Sequence, residues 1–202
     1  EGNYLVEVKW ADLYSRTHNQ SIAVKPGSSI QIAAILGVFK IGDTGPAGGI
    51  IFYDKGLVTE GWRFLEAAPE DTSSKISWGN GKRTTMKTYT AIGTGFANTE
   101  AIIEVQGDGR YAAALCKDMN INSFRDWFLP SKDELKLMYV NLHKIGLGGF
   151  FGGTYWSSSE TYYDSRYGPY TGAWNLTFSN GREDDGSEYG SKEYAVRAIR
   201  AF

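Results

Sequence analysis

Thr154-Tyr-Trp-Ser-Ser-Ser-Glu160 and Ala195-Val-Arg-Ala-Ile-Arg-Ala-Phe202 are the two runs on which the fold of this chain turns. Both read as strands, and they bracket a segment with no core pattern of its own. It holds Thr161-Tyr-Tyr-Asp-Ser-Arg-Tyr-Gly-Pro-Tyr170, the hairpin-like Gly172-Ala-Trp-Asn-Leu-Thr-Phe-Ser-Asn-Gly181, and Arg182-Glu-Asp-Asp-Gly-Ser-Glu-Tyr-Gly190. Tyr, Ser, Asp and Gly dominate it. Such a mixture builds a core poorly and a contact surface well, because Tyr carries rigid amphipathic area while Ser, Asp and Gly add adaptable hydrogen bonding at little steric cost. The expectation is a scaffold that ends in a polar, Tyr-rich binding surface.

Upstream, Asp126-Trp-Phe-Leu129 leads through Pro130 into Ser131-Lys-Asp-Glu134. That is a capping-box spacing, in which the hydroxyl and the carboxylate satisfy each other's exposed amides. Leu135, Met138, Tyr139 and Leu142 then fall on one helix face, and Gly146 closes the helix. Asn98 or Thr99 suits the N-cap of a short helix through Val105, ended by Gly107-Asp-Gly109, and a second helix follows to about Met119. Residues 50–53 and 62–68 read as a strand pair joined by a polar turn and stopped by Pro69. Trp78 falls in a loop-like run through Thr90. Residues 154–160, 173–178 and 194–202 are expected as strands of one antiparallel sheet. Strands, then helices, then strands make an α+β domain.

The first forty residues carry a strand at 4–10 and a hairpin pattern, residues 21–24 and 29–36 joined by Lys25-Pro-Gly-Ser turn chemistry. Residues 1–41 thus read as an N-terminal β extension or as the remnant of an immunoglobulin-like module, the extension being favoured, with the main domain over 42–202. Glycines 42, 45 and 48 mimic two collagen triplets. Two triplets cannot sustain a triple helix, so a turn is expected there.

Composition narrows the function classes. The 202 residues hold 21 Lys and Arg against 23 Asp and Glu, with no long block of either sign. A nucleic-acid groove or a polybasic membrane surface is not expected from that balance. No apolar run is long enough to span a bilayer and no signal peptide opens the chain. Glu1 is an unusual natural start and reads as that of a mature or trimmed form. The single Cys116 excludes an internal disulfide and sits on an apolar helix face as a small buried hydrophobe. His18 and His143 stand apart, and no nucleophile elbow or zinc spacing occurs. Gly93-Thr-Gly95 lacks the third glycine of a phosphate loop. Glu183-Asp-Asp-Gly186 with Glu188 offers oxygens to calcium, yet reads better as a solvated loop face. No enzyme activity, metal or cofactor is expected.

Asp126-Trp-Phe-Leu-Pro-Ser-Lys-Asp-Glu-Leu135, Tyr155-Trp-Ser-Ser-Ser-Glu160 and Val196-Arg-Ala-Ile-Arg-Ala-Phe202 resemble the bacterial family that includes the C-terminal domain of the Legionella collagen-like adhesin. Gly95-Phe-Ala-Asn-Thr99 and Ala173-Trp-Asn-Leu-Thr-Phe-Ser-Asn-Gly181 add to the match, which covers residues from about 42 to the end. The resemblance implies a C-type lectin fold of the formylglycine-generating-enzyme-like variety: two helices, antiparallel sheets with the N- and C-terminal strands paired, and a long ligand-facing loop region late in the chain.

The tail further resembles the treponemal variable proteins targeted by diversity-generating retroelements, in which adenine-directed mutagenesis rewrites chosen codons near the C-terminus. That resemblance implies a variable region at about 154–202. Tyr162, Tyr163, Asp164, Ser165, Arg166, Tyr167, Tyr170, Asn175, Asp184, Asp185, Ser187 and Tyr189 are its candidate ligand-binding positions. Trp156, Trp174 and Phe178 would be fixed scaffold, and Glu183 and Glu188 lie outside the set of residues such mutagenesis yields. Tyr155 and Tyr194 are expected to close the core. The implied function is non-enzymatic binding of a protein ligand, from a host or bacterial surface, at the outer face of a spirochaete outer membrane, with a lipid anchor upstream of residue 1. The alternative is an adhesin with a fixed sulfated glycan ligand, met by Arg166, Arg182 and Lys192.

Overall fold

The computed structural model describes residues 4–11, 17–24, 39–81, 85, 87–166, 168–185 and 192–202, with side chains from residue 39 onward except at 163–165 and 168–170. Strands β1 (Tyr4–Ala11) and β2 (Thr17–Val24) pair antiparallel as a sheet of their own. Residues 21–24 face β1, and the strand expected beside them at 29–36 lies outside the described residues.

The main body includes Phe39, upstream of the expected boundary, whose ring meets Phe64 and Phe202 edge-on with centroids 5.5 Å apart. Turns follow at 41–48, as the glycine spacing suggested. The polar turn expected after residue 53 lies farther on, because β3 (Ile50–Thr59) runs through a bulge before meeting β4 (Trp62–Ala67). Glu60 and Gly61 close that hairpin with positive φ values of 51° and 93°. The last strand, β10 (Ile199–Ala201), lies on the other side of β4 with Ile199 opposite Ala67, so the two ends of the main body share one sheet.

A five-stranded sheet has the order β5 (Ser73–Ser77), β9 (Glu193–Val196), β6 (Thr154–Ser165), β7 (Gly168–Thr177), β8 (Arg182–Asp184). It corrects the expected single antiparallel sheet twice. Strands β6 and β9 run parallel, with Tyr155 beside Ala195. The run 194–202 also breaks in two, because buried Arg197 at the break bonds to Asp71 and to the carbonyls of Ala68 and Gly148. Strand β5 went unread, since Ser-Ser-Lys-Ile-Ser has one apolar residue to show.

Three α-helices are described: α1 (Gly95–Gln106), α2 (Ala112–Lys117) and α3 (Lys132–Asn141). The resemblance implied two. Helix α1 begins earlier than predicted, with Thr94 at its N-cap. Asn98 and Thr99 are buried inside it, where their side chains reach the Tyr89 carbonyl and the Leu129 amide instead of capping. The capping box at α3 forms as predicted: Ser131 Oγ accepts from the Glu134 amide and Glu134 Oε2 accepts from the Ser131 amide. Gly146, in the left-handed region at φ 78°, ends the 3-10 turn that follows.

Two apolar clusters make the core. One gathers Trp78, Trp127, Trp156, Ile102 and Cys116; the other gathers Phe52, Leu65, Met138, Tyr155 and Phe178. Neighbouring residues on a strand point to opposite faces, so Tyr155 and Trp156 of β6 each anchor a different cluster.

Candidate ligand-binding surface

Strand β6 is held at its waist by a bulge. Trp156 pairs with Asn175 and Glu160 with Ala173, so Ser157, Ser158 and Ser159 stand opposite the single residue Trp174. Their three hydroxyls all find partners. Ser157 Oγ donates to the Trp174 carbonyl at 2.8 Å, and its own carbonyl accepts from Trp78 Nε1 at 2.7 Å. The Ser158 amide donates to the Pro130 carbonyl, while Ser158 Oγ accepts from Asn98 Nδ2. Ser159 Oγ donates to the Tyr89 carbonyl and accepts from the Lys132 amide. Next, the Glu160 carboxylate accepts from the Thr85 amide at 2.8 Å, Thr85 Oγ1 at 2.6 Å and Thr88 Oγ1 at 3.3 Å. Helix α1, the start of α3 and the 85–90 segment thus converge on four residues.

Beyond this waist the backbone continues as a β-hairpin, from Glu160 opposite Ala173 to Ser165 opposite Gly168. The sequence suggested irregular loops here. Paired backbone satisfies the polar main-chain groups that a projecting loop would leave to solvent.

The expected contact residues divide as follows. Tyr162 is 48% exposed, and Arg166 and Asp184 are exposed as well. Asp185 is half-buried. Tyr163 stands opposite Tyr170 in the backbone register, with Asp164 and Ser165 following. The side chains of those four, and all of Tyr167, Ser187 and Tyr189, lie outside the described residues. Asn175 corrects the expectation. It is only 4% exposed, because its place opposite Trp156 turns it to the inner face of β7. Its Nδ2 has no hydrogen-bond partner, and it offers nothing to a ligand from there.

Residues expected to be fixed have internal work. Trp156 and Phe178 are 1% exposed, Tyr155 is fully buried, and Tyr194 packs on Trp156 at 4.4 Å. Glu183 is held by Lys132 at 2.9 Å and Lys136 at 2.6 Å, which clamps β8 against α3. Burial would raise its carboxyl pKa, but the two lysines hold it below the usual range. Lys132 also lies 4.2 Å over the Trp174 ring. The adjoining Arg182–Asp184 pair, at 3.3 Å between exposed side chains, contributes little to stability but occupies an arginine that a sulfated glycan would need.

Sequence reasoning missed Tyr89, 66% exposed on the segment tied to β6. No local signal marks it, since the bonds that bring it there span 70 residues or more.

Tyr162 and Arg166 stand clear of both core clusters, so Tyr162→Ala and Arg166→Ala should each leave stability within about 0.5 kcal/mol of the parent in urea titrations. A larger loss would mean that the hairpin supports the fold.

Other chemistry is constrained. Cys116 is fully buried, and burial pushes its thiol pKa up, away from nucleophile character. His143 sits among the Tyr139, Phe150 and Phe178 rings. Among the described residues no group of three His, Cys, Asp or Glu is placed to hold a metal ion, and no helix is long and apolar enough to cross a membrane.

Burial raises the Glu134 pKa from 4.5 to about 7, against hydrogen bonds from the Ser131, Gly93 and Gly95 amides that lower it. Its folded state therefore keeps a proton that the unfolded chain has lost. The associated stability is complete below about pH 4.5 and falls as pH rises toward 7, by on the order of 3 kcal/mol in all. Glu134→Gln should flatten that slope while costing about 2 kcal/mol near pH 5, because the amide has one oxygen for two amide donors. Urea midpoints across pH measure both effects.

No protein-family model and no curated protein matches the chain.

Proposed function

We propose that this chain is a non-enzymatic ligand-binding protein displayed at a cell surface, with a C-type lectin-like scaffold. Its late hairpin and the segment after β8 form a binding surface diversified by a retroelement, and the ligand is a protein. The observation that carries the reading is the division at Glu160. Before it every side chain of 155–159 is buried and bonded or packed internally, and after it Tyr162 and Arg166 face solvent. A framework so bonded tolerates exchange at the exposed positions, since those side chains stabilise nothing inside. Two further features support the scaffold half of the reading: the pairing of β10 with β4, and the seating of the motifs around Trp127, Trp156 and Arg200 in one interior. Glu183 supports the other half, because a residue clamped by two lysines is one that diversification should spare.

Sequencing the locus and its flanks across isolates tests this. The expected result is a nearby reverse transcriptase gene and an imperfect copy of the tail-coding segment that differs at adenines. Amino-acid changes should gather at Tyr162–Tyr189 positions and avoid Trp156, Asn175, Phe178 and Glu183. Changes spread evenly over core and tail would overturn the proposal.

A further inference from the structure

A concavity lies away from the hairpin, between the β3–β4 turn, the start of α1 and the last strand, with a volume of ≈ 530 Å³. That is the size of a small-molecule site. No residue of β6 to β8 lines it.

Its walls are aromatic and fixed. Trp62 packs so closely on Gly93 that a Cβ there would come 3.0 Å from the indole Cζ2, and Gly93 has a φ of +91° that resists any side chain. Phe96, 45% exposed, is set edge-on to buried Phe128 at 5.9 Å and 89°. Ring faces presented this way attract cations through their quadrupole. These two rings already do so from outside the cleft: Lys55 Nζ lies 3.6 Å from the Trp62 centroid and Lys117 Nζ 4.9 Å from that of Phe96. Lys55 donates to the Thr59 carbonyl and also feels the Glu60 charge, Lys117 pairs with Glu100, and neither lysine lines the cavity.

The polar lining has one sign. Glu60 and Asp126 contribute carboxylates, the buried Glu134 carboxyl faces its own amide donors, and no Lys, Arg or His lines the space. Asp126 gives its Oδ1 to Arg200 at 2.6 Å, while its side chain stays half exposed. Glu60 is exposed and occupies a left-handed position where a hairpin turn favours Asn or Gly, so an acidic side chain stands here against local preference. Carboxylates accept hydrogen bonds and donate none, which turns away anions and leaves a neutral sugar's acceptors unmet.

We infer that this cleft binds an organic ammonium ion of choline size, its methyl groups against Trp62 and Phe96 and its charge facing Glu60 and Asp126. The site is independent of the hairpin reading, and neither depends on the other.

The test titrates the full chain with choline chloride, followed by tryptophan emission and indole N–H shifts, at constant ionic strength. Saturable binding is expected, with the uncharged isostere 3,3-dimethylbutan-1-ol at least roughly tenfold weaker. Phosphocholine should bind more weakly than choline, because its phosphate meets the acidic rim; equal or tighter binding would overturn the assigned charge pattern. Glu60→Gln, at an exposed turn, and Phe96→Leu should each weaken choline severalfold while the circular dichroism spectrum stays unchanged. Trp62→Leu should abolish saturation. Equal binding of the neutral isostere, no saturable response, or full affinity in folded Phe96→Leu and Glu60→Gln proteins would each overturn the inference.

Discussion

Arg197→Leu should lower the free energy of unfolding by about 3–5 kcal/mol, a large share of what holds a domain of this size together. The guanidinium is 2% exposed and held by an ion pair, two carbonyls and a ring. Its Nε donates to Asp71 Oδ1 at 2.6 Å, its Nη1 to the carbonyls of Ala68 and Gly148 at 2.9 Å each, and the Phe150 ring lies 4.2 Å from its carbon. Leucine restores some apolar volume but takes the ion-pair partner from Asp71, itself partly exposed, and the donor from the Ala68 and Gly148 carbonyls. Asp71 also accepts from Tyr155 Oη, so the damage extends to the residue that joins β6 to the second core cluster. Arg197→Lys should recover only part of the loss, since a single ammonium cannot reproduce the planar fork. Urea denaturation followed by tryptophan emission measures it. A midpoint unchanged in Arg197→Leu would show that the pair contributes nothing.

Glu66→Ala should cost a comparable 3–5 kcal/mol. Glu66 is fully buried and gathers three donors: the Ala47 amide at 3.3 Å and Arg200 Nη1 at 2.9 Å on Oε1, and the Gly49 amide at 3.1 Å on Oε2. Burial nonetheless holds its pKa above the usual carboxyl value. Alanine leaves two amides without acceptors and leaves Arg200, 7% exposed, with only the half-exposed Asp126. The double variant Glu66→Ala with Arg200→Leu should lose less than the sum of the two single losses, by about 1–3 kcal/mol, because the second change removes the orphaned charge. Additive losses would show the two groups to be uncoupled.

Arg197, and Arg200 that pairs with Glu66, lie inside the motifs that carry the family resemblance. Asp126, Trp127 and Ser131 belong to one motif, Asn98 and Thr99 to another, and Arg197 and Arg200 to the last. In the fold they are buried side chains or their partners: Asn98 on Ser158, Thr99 on the Leu129 amide, Ser131 on Glu134, Asp126 on Arg200. Among the described residues, Trp127 Nε1 and, in the Ala173–Gly181 motif, Asn175 Nδ2 have no partner. Signatures of this kind mark a framework. They carry little information about what the framework binds, which is why the functional reading rests on the exposed side of Glu160 instead.

Much of this molecule was legible in the order of its residues. The α3 capping box, the strands at 50–53, 62–68 and 154–160, the α+β order and the inward roles of Tyr155 and Cys116 follow from local periodicity and from the cost of exposing apolar area. What only tertiary structure decided is where polar residues go. The break between β9 and β10, the burial of Asn175, the Ser157–Ser159 hub, the clamp on Glu183 and the acidic aromatic cleft all depend on groups far apart in sequence. A lone polar residue reads as solvated until its partner is known, because burying it is favourable only once that partner is in place.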